Sequence, residues 1–147
     1  MNHELGSIEA TRALGADLAR QAKPGTVIAL IGDLGAGKTE LVRGFMSALE
    51  GASLAEVASP TFALVHRYES TPPVWHLDWY RLDEARELAA IGAEEFLDPL
   101  DAITLVEWAD RFPGWVPEDA WEVRLETVSE GVRRAQVRQP KGSCAGA

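Results

Sequence analysis

Hydrophobic positions in the first third of the chain follow two different periods. Residues 7–22 place apolar side chains three or four positions apart and stop before Pro24 and Gly25, which predicts a helix. Residues 26–31, TVIALI, are apolar and β-branched without alternation, as in a strand buried on both faces of a parallel sheet. Residues 38–49 return to helical spacing. The pattern therefore predicts a helix, a buried strand and a second helix in succession.

Four later segments have the alternation that is typical of strands. Residues 62–70 and 74–78 flank a Pro-Pro turn, and the short connection predicts a hairpin. Residues 121–128 and 133–139 alternate on either side of a turn and predict a second hairpin. Antiparallel pairs are therefore expected in the sheet beside any parallel strands.

The region between the two hairpins predicts one more helix and one more buried strand. Residues 83–92 have a helical pattern, with Asp83 as the expected N-cap and Gly92 at the end. Residues 102–108, AITLVEW, are almost continuously apolar. Strands that alternate with helices in this way predict an α/β fold with a mixed sheet.

Length and composition indicate one domain. A chain of 147 residues that is 46% hydrophobic can bury one core, and we expect a single domain over residues 1–139 with a disordered tail over residues 140–147. No apolar run approaches the roughly 20 residues of a membrane-spanning helix. The first residues lack the basic start and apolar centre of a signal peptide, so we expect a cytoplasmic protein.

The charge argues against a direct nucleic-acid-binding surface, and the cysteine and histidine content argues against a disulfide or a structural metal site. The formal net charge is −9, and residues 83–110 contain nine acidic residues and one basic residue, Arg86. A protein that grips nucleic acid directly normally has a basic face, so this segment is either solvated surface or a docking surface for a basic partner. The single cysteine, Cys144, excludes an internal disulfide, and the three histidines lack metal-ligand spacing.

The segment GDLGAGKT, residues 32–39, carries the most specific chemistry in the chain. Gly32, Gly37, Lys38 and Thr39 satisfy the phosphate-loop pattern G-x-x-x-x-G-K-[ST], and the segment lies between a predicted buried strand and a predicted helix. Such a loop surrounds phosphate oxygens with backbone N–H groups at a helix N-terminus. Lys38 is then expected to reach the β- and γ-phosphates, and the Thr39 hydroxyl to bind Mg²⁺.

The identity of the nucleotide follows by exclusion. A guanine-binding Asn-Lys-x-Asp segment is impossible because Asn2 is the only asparagine. The glycine-rich fingerprint of dinucleotide sites would need a third glycine where Glu40 stands. ATP is the remaining expectation.

Phosphoryl chemistry also needs a carboxylate beside the metal. Asp78 ends the strand VWHLD and Glu107 ends the strand AITLVE, and ligands of α/β sheets bind at this carboxyl end. No aspartate stands in the second of these strands, so the residues alone leave open which carboxylate binds Mg²⁺.

Four motifs together resemble one family. GDLGAGKT, SPTF, HLDWYRL and VEW, in this order, are similar to the TsaE (YjeE) family of bacterial P-loop ATPases, which are needed for threonylcarbamoyladenosine (t6A) at position 37 of certain tRNAs. The resemblance covers nearly the whole chain. It implies a P-loop NTPase-like three-layer domain with helices on both faces of the sheet. It also implies ATP hydrolysis in concert with TsaB and TsaD, with tRNA contacted only indirectly.

The resemblance also implies roles for single residues. Thr61 would sense the γ-phosphate, Glu107 with Thr39 would hold Mg²⁺, and Asp78 would orient or activate the attacking water. Trp108 is either a packing residue or part of the site. Ser7, Thr11 and Arg133 would border the adenine. The residues expected around the nucleotide as a whole are Thr11, Asp33, Leu34, Gly35, Ala36, Gly37, Lys38, Thr39 and Arg133.

Two other functions share the phosphate loop. A nucleotide-gated adaptor would bind ATP without useful turnover. A small-molecule kinase would need an arginine-bearing lid, and the region after Gly92 is acidic and short of arginine.

Overall fold

The computed structural model describes residues 2–33, 35–51 and 65–140. These residues form one seven-stranded sheet. Its strands are β1 (Asn2–Leu5), β2 (Val27–Ile31), β3 (Val65–Tyr68), β4 (Val74–Asp78), β5 (Ile103–Glu107), β6 (Trp121–Ser129) and β7 (Val132–Arg138). The α-helices among them are α1 (Ile8–Gln21), α2 (Lys38–Ser47), α3 (Arg86–Ala90) and α4 (Ala93–Phe96), and 3-10 turns cover Ala109–Arg111 and Pro113–Trp115.

The strand order β1-β7-β6-β2-β5-β4-β3 places β2 at the centre. β2 pairs in parallel with β5 and β6, and β5 pairs in parallel with β4. The outer pairs, β3 with β4 and β7 with both β6 and β1, are antiparallel. The predicted α/β fold with a mixed sheet and two hairpins is therefore confirmed.

Alternate residues of β2 face two separate cores. Ile28 and Leu30 pack into the core beneath α1 and α2. Val27 and Ala29 pack into the core beneath α3, α4 and the 3-10 turns. Because both faces are covered, the strand has no polar side, as its unbroken apolar sequence predicts. The three-layer arrangement with helices on both faces is also confirmed.

Helices α1 and α2 approach so closely that glycine is needed between them. A Cβ on Gly44 would lie 1.9 Å from the carbonyl oxygen of Arg12, and one on Gly15 would lie 2.1 Å from that of Leu41. An added methyl group at either position would therefore push the two helices apart. This packing fixes the first turn of α2, and with it the phosphate loop, against the start of α1.

The sequence-based prediction for residues 83–92 was wrong in detail. Asp83 is not the N-cap: α3 begins at Arg86, with Ala85 in the cap position. The Glu87 carboxylate, in the first turn of α3, accepts hydrogen bonds from the backbone N–H groups of Asp83 and Glu84, at 2.7 and 3.0 Å, in the turn that precedes the helix. Gly92, at a φ of +73°, follows the end of α3 and occupies the N-cap position of α4.

Other differences lie at the edges of elements. β1 was not predicted, because four residues beside a helix carry too short a pattern; it pairs with β7 at the edge of the sheet. Helix α2 ends at Ser47 rather than residue 49. The predicted strand start at residues 62–64 and the predicted tail from residue 141 onward lie outside the described residues. No helix within the described ranges combines the length and hydropathy that crossing a bilayer requires.

Candidate functional site

The loop between β2 and α2 has the backbone shape of a phosphate cradle. Gly35 and Gly37 adopt φ values of +79° and +106°, which side chains with a Cβ rarely tolerate. Gly37 directly precedes the first residue of α2, so the loop ends on the positive end of a helix dipole. The buried Ala36 closes the turn by donating its backbone N–H to the carbonyl of Asp33 at 3.0 Å.

Lys38 begins α2, and its side chain returns over the loop. Nζ donates hydrogen bonds to the carbonyl oxygens of Gly32 and Asp33, the latter at 3.0 Å. Nζ also lies 4.1 Å from the centre of the Trp108 ring, within the range of a cation–π contact. Burial lowers the pKa of Lys38 from its ordinary value, while the carboxylates of Glu107 and Asp78 act to raise it. The one cation of the loop is thus buried beside two acids.

Two carboxylates stand side by side at the carboxyl end of the sheet. Asp78 and Glu107 are the last residues of β4 and β5, they pair in register, and each is 3% exposed. Asp78 Oδ1 accepts the backbone N–H of Tyr80 at 2.8 Å, which fixes its orientation. Glu107 Oε2 lies 2.6 Å from Nε2 of the buried His76. The sequence-based expectation that both acids meet at this edge is confirmed.

The start of α1 and a residue of β7 form the outer rim of the site. Ser7 Oγ caps α1 by accepting the N–H of Ala10 at 3.0 Å, and Thr11 Oγ1 donates to the carbonyl of Ser7 at 3.3 Å. Arg133 donates from Nη2 to the carbonyl of Gly35 at 3.1 Å and so ties β7 to the loop. The family resemblance assigns the border of the adenine to Ser7, Thr11 and Arg133, and that role stays a prediction.

A cavity of about 610 Å³ joins these parts. It is lined by loop, strand-end and rim residues, which are Ser7, Ile8, Thr11, Gly35, Gly37, Lys38, Thr39, Glu40, Asp78, Tyr80, Glu107, Trp108, Gly131 and Arg133. A lysine, glycine N–H groups and a helix N-terminus at one wall suit phosphate groups. The size lies within the range of small-ligand sites in proteins.

The donor atoms in the cavity also fit a magnesium ion. Thr39 and Glu107 both line it and both offer oxygen. Within the described part of the chain, no cluster of three or more His, Cys, Asp or Glu residues could hold a metal alone. Mg²⁺ commonly binds through one or two protein oxygens together with substrate phosphates and water. This donor set therefore suits a nucleotide-bound Mg²⁺ rather than a metal caged by protein alone.

Comparison with known families agrees with the site. The family model for "Threonylcarbamoyl adenosine biosynthesis protein TsaE" matches residues 5–136. The chain belongs to the TsaE family. A TsaE protein from Nostoc is 39% identical over 138 residues, which cover 90% of this chain and 82% of the relative. One from Synechocystis is 42% identical over 117 residues, covering 77% and 73%. Both bear the name tRNA threonylcarbamoyladenosine biosynthesis protein TsaE.

The fold agrees with a solved structure. The crystal structure of YdiB from Bacillus subtilis superimposes with a TM-score of 0.78 and 25% sequence identity. The match covers 99% of this chain and 92% of YdiB. The TsaE family therefore accounts for the seven-stranded mixed sheet as well as for the sequence motifs.

The structure brings most of the predicted site residues together. The cavity wall includes nine of them: Ser7, Thr11, Gly35, Gly37, Lys38, Thr39, Asp78, Glu107 and Arg133. Ala36 is buried beneath the loop, and Asp33 contributes its carbonyl oxygen rather than its exposed side chain. Leu34 and Thr61 lie outside the described residues, so their predicted roles stay predictions.

Two aromatic residues of the cavity were missed or left undecided. Trp108 lines the cavity with a φ of +59°, and this left-handed conformation turns its ring toward Lys38. Tyr80 lies beside it, with 4.8 Å between the ring centres. The position of Tyr80 two residues after Asp78 was the available signal. No sequence signal could have predicted the backbone conformation of Trp108, because tryptophan seldom adopts a positive φ.

Proposed function

We propose that this protein is a cytoplasmic Mg²⁺-dependent ATPase that acts in t6A formation on tRNA. The observation that carries the proposal is the placement of a buried lysine, a phosphate loop and two strand-end carboxylates in one cavity. Membership of the TsaE family supports the t6A role. Residues 1–139 would act as a single ATPase domain, with residues 140–147 as a tail.

The side chains divide the work of ATP hydrolysis. Lys38 binds the β- and γ-phosphates, and Thr39 with Glu107 holds Mg²⁺, which neutralises charge on the phosphates when bound. Asp78, held by the N–H of Tyr80, orients the attacking water. Thr61 serves as the sensor of the γ-phosphate.

TsaB and TsaD are the proposed partners, on the strength of the family resemblance. A net charge of −9 does not suit tight binding to the tRNA backbone, so contact with tRNA goes through the partners. If the ATP state fits the partners better than the ADP state, hydrolysis releases them, because a ligand shifts an equilibrium only by its differential affinity. Nucleotide then acts as a docking switch.

The experiment measures phosphate release by the protein alone and with a TsaB–TsaD complex. We expect low activity alone and higher activity with the partners. Fluorescence titrations then compare labelled tRNA and the labelled complex, each with ADP or a non-hydrolysable ATP analogue. Absence of hydrolysis in every mixture would leave a nucleotide-gated adaptor. Equal partner affinity in both nucleotide states, or submicromolar binding of bare tRNA at physiological salt, would refute the switch.

A further inference from the structure

A chain of buried polar side chains crosses three strands and ends at Glu107. The Tyr68 hydroxyl on β3 lies 3.1 Å from Nδ1 of His76 on β4. Nε2 of the same ring lies 2.6 Å from Oε2 of Glu107 on β5. The exposed fractions of the three residues are 2%, 0% and 3%. Nothing in the phosphate-loop motif calls for Tyr68 or His76.

The register of the strands explains how the three side chains meet. His76 pairs with Leu105, which lies two residues before Glu107 on β5. The side chains of His76 and Glu107 therefore point to the same face of the sheet as diagonal neighbours. Tyr68 pairs with Val74 and stands in the same relation to His76. The face is the one beneath α1 and α2, where Tyr68 and Val74 belong to the core. An apolar residue at position 76 would fill this space as well, so the histidine needs a reason other than packing.

The hydrogen-bond partners assign the direction of the chain. An ionised carboxylate can only accept, so Nε2 of His76 must carry the proton that it donates to Glu107. If the ring is neutral, Nδ1 is its acceptor and the Tyr68 hydroxyl donates to it; if the ring is protonated, Nδ1 donates to the hydroxyl oxygen instead. Each polar atom of the histidine ring is satisfied, as burial demands. The chain runs from the Tyr68 hydroxyl through the ring to Oε2 of Glu107.

We propose that His76, supported by Tyr68, is a positioning residue for the metal-binding carboxylate. By holding Oε2, the ring fixes the rotation of the Glu107 side chain and leaves Oε1 as the atom for Mg²⁺ at the cavity wall. Partners that orient a metal ligand commonly change metal affinity by 10- to 100-fold when removed. The inference rests on the proposed function, since it concerns the Mg²⁺ of a bound nucleotide.

The experiment compares nucleotide binding with and without the metal. Calorimetry gives the affinity for a non-hydrolysable ATP analogue in Mg²⁺ and again in EDTA, and the ratio of the two reports the metal contribution alone. His76→Leu should lower this ratio roughly 10-fold or more while leaving the affinity in EDTA unchanged. His76→Gln keeps an N–H donor within reach of Glu107 and should recover most of the loss. Tyr68→Phe should lower the ratio about two- to tenfold, as expected for one neutral hydrogen bond.

His3 supplies the matched control. It is half-buried on β1, at the opposite edge of the sheet from β3, so His3→Gln should leave the ratio unchanged. If His76→Leu fails to fold, Tyr68→Phe decides, because phenylalanine is close in shape to the tyrosine that it replaces. Equal weakening in Mg²⁺ and in EDTA, or an unchanged ratio in folded His76→Leu or Tyr68→Phe, would overturn the positioning role. A wild-type protein that binds the analogue equally in Mg²⁺ and in EDTA would instead refute the proposed magnesium site.

Discussion

The two faces of the central sheet are both covered by helices, yet among the residues that the structure describes only one face contains a network of buried polar side chains. The face beneath α1 and α2 buries His76 and Glu107 together with the Tyr68 hydroxyl. The face beneath α3 and α4 is packed almost entirely with apolar side chains, and its buried Thr104 hydroxyl donates to the nearby carbonyl of Phe96. The two faces of the sheet therefore differ in the side chains that they bury: one buries a hydrogen-bonded polar network, and the other buries mostly apolar side chains.

Physical cost explains why the difference indicates function. A buried polar group costs free energy unless it is hydrogen-bonded, and a buried charge costs more. The face beneath α1 and α2 bears this cost next to the phosphate loop, where carboxylates and a lysine are needed. The described side chains of the opposite face mainly pack against one another. Substitutions on the two faces should accordingly separate stability from nucleotide chemistry.

The largest effect should come from a core substitution on the apolar face. Leu88 is fully buried there, and Leu88→Ala should lower the free energy of unfolding by about 2 to 5 kcal/mol through lost burial and a cavity. Urea unfolding measures the change. Nucleotide affinity of the folded fraction should stay at the wild-type value. Loss of affinity in a still folded variant would show that the two faces are coupled.

A substitution of Lys38, in the phosphate loop, should instead lower nucleotide affinity. Lys38→Ala removes the cation of the phosphate loop, and charged hydrogen bonds are worth about 1.5 to 3 kcal/mol each, so ATP affinity should fall roughly 100-fold or more. Calorimetry tests this directly. The exposed Lys23 provides the control, since Lys23→Ala should bind ATP normally. Unchanged affinity in a folded Lys38→Ala protein would remove the phosphate-loop assignment.

Asp78 and Glu107 should separate two roles within the same face. Glu107→Gln should weaken Mg²⁺-dependent binding, because an amide oxygen is a poorer magnesium ligand. Asp78→Asn can keep its acceptor bond to the N–H of Tyr80, so it should bind ATP but hydrolyse it roughly 100-fold more slowly. Paired binding and single-turnover measurements distinguish the two. Exchanged phenotypes would exchange the roles, and two silent variants would discard both.

Local patterns carried most of the sequence-based reasoning about the fold. The phosphate loop was identified because its chemistry depends on spacing within eight residues that follow a buried strand. The meeting of Asp78 and Glu107 was predictable because parallel strands end at one edge of a sheet. The assignment of Asp83 as a cap failed because α3 begins only at Arg86, and the Glu87 carboxylate accepts the N–H groups of Asp83 and Glu84 in the turn before it.

The contacts that escaped prediction depend on strand register. His76 reaches Glu107 only because β4 pairs with β5 at one particular offset, across 31 positions of chain. A shift by one residue would turn His76 to the apolar face. No local pattern encodes that offset. The same limit applies to β1, whose partner β7 lies at the other end of the sequence.

The smallest effect should come from the Glu87 carboxylate in the first turn of α3, which accepts two backbone N–H groups of the preceding turn. Backbone N–H groups, first that of Glu84 and then that of Asp83, lower the pKa of Glu87 from its ordinary value of 4.5. A carboxyl group with a lowered pKa stabilises the fold above its ordinary value, and this contribution disappears as the pH falls through the lowered pKa.

At pH values above 4.5, Glu87→Gln should therefore cause a small decrease in the urea midpoint. The difference from wild type should vanish in stronger acid. Because Glu87 is half-buried in α3, on the face of the sheet opposite α1 and α2, ATP affinity should not change at any pH where the protein is folded. Glu94→Gln, at an exposed position in the first turn of α4, is the matched control for a lost surface charge. A difference from wild type that is the same at every pH would contradict the role of the Glu87 carboxylate as acceptor of the two N–H groups.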